Sequence, residues 1–93
     1  MNTFQLPYSL QAEQAVLGGL LLDNVTWSSI SDHLLSKDFY QSEHQILFDR
    51  MSKKIRKGER VDALTLSEEA KEMPELKEIK GDMYVLELIK KTP

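Results

Sequence analysis

Apolar residues recur at helical spacing along most of this chain, and almost nowhere do they alternate as along a half-buried strand. In "LQAEQAVLGGLLLD", Ala12, Ala15, Val16, Gly19 and Leu20 fall on one side of a helix. Leu17, Leu21 and Leu22 widen that surface, and Gln14 and Gly18 occupy the remaining polar strip. A helix apolar on nearly all sides belongs at the centre of a fold. It follows Pro7, with Ser9 as the expected N-cap and Glu13 near its positive end.

The pattern continues in short helical pieces. Asn24 is placed to cap "VTWSSISDHLL", whose Trp27, Ile30 and Leu34 share a face, and "SKDFY" then reads as a turn with aromatic anchors. Ser42 and Gln45 have capping-box spacing before a third helix. There His44, Leu47, Phe48, Met51 and Ile55 line up while Ile46 points away. Gly58, preceded by Arg56 and Lys57, is the natural left-handed stop. "ERVDAL" is short and extended. Thr65 and Glu68 have box spacing for a helix to about Lys71, and Pro74 suits the first turn of another. Gly81 and Asp82 precede a last helix striped by Tyr84, Val85, Leu88 and Ile89. The expected fold is all-α, a compact orthogonal bundle of about five or six short helices in one domain spanning residues 1–93.

Two adjacent glycines inside the first helix need a reason, because each costs about 1 kcal/mol relative to alanine. A phosphate-cradling loop requires GxxxxGK[ST], whereas Gly18-Gly19 is followed by three leucines and Gly58 has no partner glycine. Close packing is the better explanation. Ala12, Ala15 and Gly19 make a seam of small side chains that a neighbouring helix can approach, and Gly18 adds room for a second neighbour.

Composition narrows the function. The 93 residues are 41% hydrophobic and 29% charged, a globular balance. The absence of cysteine removes disulfide scaffolds, thiolate catalysis and the common zinc frameworks. A net charge of -3 argues against autonomous nucleic-acid binding. No apolar run approaches membrane-spanning length and "MNTFQLPYS" does not read as a signal peptide, so a cytoplasmic protein without a membrane partner is expected.

His33 and His44, with Asp32, Asp38 and Glu43 nearby, could be ligands or acid–base groups, but their spacing fits neither use. His44 lies on an apolar stripe, so an imidazole buried against a carbonyl or a carboxylate is the expected state. In "RMSKKIRKGER" the cations Arg50, Lys53, Lys54, Arg56, Lys57 and Arg60 could contact phosphates. Met51 and Ile55 make the same run an amphipathic helix with a solvated face, which is the preferred reading. Helix capping accounts for Asp62 and Thr65. No catalytic, cofactor-binding or metal residues are expected.

Taken in order, "PYSLQAEQAVLGGLLLD", "W", "DFY…H..LF", "G…VDALTL", "LKEIKG..Y…L" and "TP" resemble the N-terminal domain of the bacterial replicative DNA helicase DnaB, from about Leu6 to Pro93. Lys80 stands where that family commonly has the first of two glycines, and Arg60 where proline is common. The resemblance implies a non-enzymatic interaction and assembly module for DNA replication. In the family these domains form a collar within a helicase hexamer and dock the C-terminal domain of the DnaG primase and helicase-loading proteins. ATP and Mg act in a separate RecA-like domain, so no cofactor is expected here. The family's chain runs past "TP" into a helical hairpin and linker, and this chain is expected to be cut before them. Tyr84, Leu88 and Ile46 are the expected partner-binding residues. The competing expectation is a small helix-turn-helix-like DNA-binding domain using the basic third helix.

Overall fold

The computed structural model describes residues 9–30 and 33–91. The N-terminal stretch through Tyr8, the Ser31–Asp32 part of the expected second helix and the closing "TP" lie outside the described residues. The described residues form six α-helices, α1 (Leu10–Leu22), α2 (Trp27–Ile30), α3 (Ser42–Arg56), α4 (Ala63–Ala70), α5 (Pro74–Lys77) and α6 (Gly81–Lys90). Short 3₁₀ turns at Asn24–Thr26 and Ser36–Asp38 complete them, and no strand occurs among the described residues. The fold is all-α.

The inward face of α1 is not the one that hydrophobicity marks. Ser9 caps the helix as expected, its hydroxyl accepting from the Ala12 N–H at 3.2 Å. The buried residues, however, are Glu13, Gln14, Leu17, Gly18, Leu20 and Leu21, while Ala12, Ala15, Val16 and Gly19 are only half-buried. Glu13 and Gln14 find hydrogen-bond partners inside, and the i, i+4 geometry carries Leu17 and Gly18 in behind them. This corrects the expected seam. A Cβ built on Gly19 meets nothing within 4 Å. The close approach lies at Gly81, where a Cβ would stand 2.6 Å from the Leu76 Cβ and 3.0 Å from its carbonyl oxygen.

Three caps also differ from expectation. Asn24 does not cap α2. Its Nδ2 donates to the carbonyls of Leu20 (2.7 Å) and Val61 (2.8 Å), and its Oδ1 accepts from the Val61 N–H, so it staples the end of α1 to the segment before α4. Asp23 accepts from the Val25 N–H instead, and His33, Leu34 and Leu35 are not helical. At α3 the N-cap is Gln41, with no bond from its own side chain, and Gln45 donates to the Phe39 carbonyl. At α4 the reciprocal box is Asp62 with Thr65, one turn earlier than Thr65 with Glu68. Gly58 closes α3 at φ +82°, and Pro74 opens α5, both as expected.

The core gathers Leu17, Leu20, Leu47, Leu66, Val85 and Leu88 at 0% exposure, with a Trp27–Phe48–Phe39 chain of rings beside them. Helix α6 packs on both α4 and α1, and α3 packs on α1. The interior is therefore bounded by α1, α3 and α6, and its polar residues meet where those helices face one another.

Candidate functional site

Glu13 from α1, His44 from α3 and Tyr84 from α6 form a connected polar group in this interior. Glu13 is 1% exposed and His44 0%. The glutamate Oε1 lies 2.7 Å from His44 Nδ1, and His44 Nε2 lies 2.6 Å from the Tyr84 hydroxyl. Gln14 donates to that hydroxyl at 3.1 Å. The Tyr84 and His44 rings stack with centroids 5.7 Å apart.

Donor and acceptor accounting assigns the protons. A carboxylate only accepts, so the His44 hydrogen sits on Nδ1 and points at Glu13. With the ring as the Nδ1–H tautomer, Nε2 accepts from the Tyr84 O–H, whose oxygen keeps lone pairs for Gln14. The carboxylate has further work. It accepts from the backbone N–H of Tyr40 at 2.6 Å and of Gln41 at 3.3 Å, immediately before α3. Glu13 thereby caps α3 from another helix, placing negative charge at the positive end of the helix dipole. Burial raises the Tyr84 phenol above its ordinary value, an effect opposed by the bond from Gln14 and reinforced by the charges of Glu43 and Glu13.

A Glu–His–Tyr series invites an acid–base reading, and the geometry speaks against it. Acid–base chemistry needs a lone pair or proton facing a substrate, and here each such group faces the protein. A hollow of about 380 Å³ lined by Ser9, Leu10, Tyr40 and Gln41 reaches the edge of Glu13, yet both carboxylate oxygens already accept hydrogen bonds from the protein. Among the described residues no buried side-chain nitrogen or oxygen lacks a partner. The expected state of His44, buried against a carboxylate, is the one observed. Sequence reading missed Glu13 as its partner because the two are 31 positions apart and Glu13 already had an explanation as a first-turn acid.

The basic run of α3 is largely occupied. Lys54 bonds Glu59 and Glu69, Arg50 also reaches Glu69 at 3.3 Å, and Lys53 pairs with Asp49 at 3.1 Å. Hydrogen bonds that it donates to Glu69 and Glu59 hold the Lys54 ammonium above the ordinary lysine range. These pairs tie α3 to α4 and reduce the free positive charge available to a phosphate backbone.

The three expected partner-binding residues are not brought together as one surface patch. Tyr84 is half-buried over His44, Leu88 is fully buried beneath it in the core, and Ile46 is half-buried against the core on α3. Large apolar side chains that do face outward include Leu64 on α4 and Met83 and Leu86 on α6. No helix among the described residues is long and apolar enough to cross a membrane.

Residues 5–93 match the family described as "DnaB-like helicase N terminal domain". The replicative DNA helicase DnaB of Buchnera aphidicola subsp. Acyrthosiphon pisum is 42% identical over 87 residues, which cover 94% of this chain and 19% of that protein. DnaB of Geobacillus stearothermophilus is 39% identical over the same shares. The crystal structure of the N-terminal domain of DnaB helicase from Mycobacterium tuberculosis aligns with a TM-score of 0.83 at 36% identity, over 96% of this chain and 64% of that one. This chain thus spans 19% of the length of these curated relatives. Matched in sequence over nearly its whole length and in fold at high similarity, it belongs to the family of DnaB-like replicative helicase N-terminal domains.

Proposed function

We propose that this chain is a non-catalytic interaction and assembly domain of a replicative DNA helicase. In this reading it supports an N-terminal collar in the helicase hexamer and docks the C-terminal domain of a DnaG-type primase, with helicase-loading proteins as further partners. The observation that carries the proposal is the closure of the polar interior. Glu13, His44, Tyr84 and Gln14 satisfy one another and the backbone before α3. A domain whose reactive-looking groups are used up in its own architecture acts through its surface. ATP and Mg then belong to a RecA-like domain outside this sequence, in a protein that works in the cytoplasm.

For primase docking we favour the α6 side. The partly exposed ring of Tyr84 is the anchor, since tyrosine is enriched at interface hot spots and this one is held rigidly by His44 and Gln14. Leu88 supports α6 from the core, and Ile46 offers its exposed part on α3. Calorimetric titration with the primase C-terminal domain tests this. Expected is saturable binding of about tens of micromolar, roughly -6 kcal/mol, retained in Tyr84→Phe and lost in a folded Tyr84→Ala. No heat and no complex at millimolar concentration contradicts docking; equal binding by folded Tyr84→Ala moves the anchor elsewhere. Sedimentation of this chain alone should show weak, concentration-dependent self-association, and a stable hexamer at low micromolar concentration would contradict that part.

A further inference from the structure

The groove between the turn before α3 and the outer face of α3 has an apolar edge and cationic flanks. Leu34 and Phe48, each 1% exposed, close the groove from beneath, and Leu35, half-exposed at its edge, supplies the apolar surface a ligand can reach. Lys37 and Arg56 flank it, in a hollow of about 330 Å³, enough for one large apolar side chain. None of Tyr84, Leu88 or Ile46 lines it.

The state of Arg56 distinguishes this groove from other hollows on the surface. Its guanidinium lies 5.8 Å from the centre of the Trp27 ring, and Trp27 is itself packed on Phe48, 5.1 Å away. A guanidinium placed over an aromatic ring keeps its N–H edges available for a carboxylate. No carboxylate among the described residues takes them. Asp49, the acid lining the same groove, is paired with Lys53. Lys37 likewise forms no ion pair among the described residues, whereas Arg50, Lys53 and Lys54 on α3 all do.

We propose that this groove binds an acidic peptide segment carrying one large apolar side chain. The side chain packs against half-exposed Leu35 at the groove edge, and flanking carboxylates meet the fork of Arg56 and the ammonium of Lys37. A peptide fits better than a nucleic acid. Trp27 and Phe48 are buried, so no exposed aromatic ring in the groove can stack a base. The apolar edge at Leu35 would also lie unused beside a phosphate backbone.

Trp27 is the only tryptophan and lies under Arg56, so its fluorescence reports occupancy of the groove. The test titrates the 93-residue chain with a capped Glu-Asp-Leu-Asp-Glu peptide, its Gln-Asn-Leu-Asn-Gln counterpart and a short single-stranded oligonucleotide. Amide shifts are followed alongside fluorescence. The acidic peptide should saturate, shift the amides of Leu35 and Lys37, and weaken about five-fold or more in Arg56→Gln. Arg56→Lys, which retains charge without the fork, should recover only part of that loss. Equal binding of the neutral peptide, tighter binding of the oligonucleotide, or unchanged affinity in a folded Arg56→Gln overturns the proposal. So does the absence of any shift at millimolar peptide.

Discussion

Glu13 Oε1 and His44 Nδ1 lie 2.7 Å apart, joining two residues that are 31 positions apart in sequence and almost wholly shielded from water. The same carboxylate accepts the backbone N–H groups of Tyr40 and Gln41, so one side chain of α1 sets where α3 begins. Removing its charge should be expensive. Glu13→Gln retains the shape but presents an amide N–H₂ toward donors that need acceptors. A loss of about 2–4 kcal/mol is expected, read as a lower urea midpoint with an unchanged slope. A loss below about 0.5 kcal/mol would mean that the carboxylate does not organise this junction.

The glycines give a pair of opposite predictions. Gly19→Ala should stabilise by up to about 1 kcal/mol, because helix propensity improves and the added methyl meets nothing within 4 Å. Gly81→Ala should destabilise by about 1–3 kcal/mol through overpacking, since its methyl would press on the Cβ and carbonyl of Leu76 in α5. Urea unfolding of both variants settles the order, and reversed signs would refute this packing account.

Much of the helical layout was legible in the sequence because local chemistry determines it. Ser9, Gly58 and Pro74 act within one turn of their own backbone, and each does what its residue type suggests. The inward face of α1 was not legible. Hydrophobicity assigned Gln14 and Gly18 to the solvent side, and only the distant partners His44 and Tyr84 make a polar inward face favourable. Asn24 misled for a similar reason, because a residue suited to capping is equally suited to bridging two carbonyls and an amide. The buried state of His44 was predictable from its stripe, whereas the identity of its partners depended on the tertiary fold.

Lys80 adopts φ +54° at the start of α6. The left-handed region is unfavourable for a residue with a Cβ, and this is the position at which the family resemblance led one to expect glycine. Lys80→Gly should therefore stabilise by about 1 kcal/mol, the relief of strain exceeding the added chain entropy of the unfolded state. Thermal unfolding checks this, and a lower midpoint in the variant would contradict it.

Asp62 makes the α4 cap sensitive to acid. Hydrogen bonds from the Thr65 backbone and side chain hold its carboxyl below the ordinary value of 3.8, with Arg60 adding in the same direction. A depressed folded-state value means that the stabilisation is complete above the unfolded value and is lost as pH falls through the folded one. Asp62→Ala should thus lower the urea midpoint at about pH 6, with the gap from wild type shrinking toward about pH 2. A gap that widens on acidification would refute the assignment.

Amide hydrogen exchange at Tyr40 and Gln41 tests most directly whether the Glu13–His44–Tyr84 group is architecture, leaving this domain to act through its surface. Both N–H groups are held by the Glu13 carboxylate rather than by a helix ladder. If the group is a closed scaffold, these amides exchange only when the domain opens, with protection approaching that of Leu47 and Phe48 in the core. Exchange near the rate of an unstructured peptide would show the carboxylate leaving its place and the histidine meeting water. That result would contradict a purely structural role and return the acid–base reading to consideration.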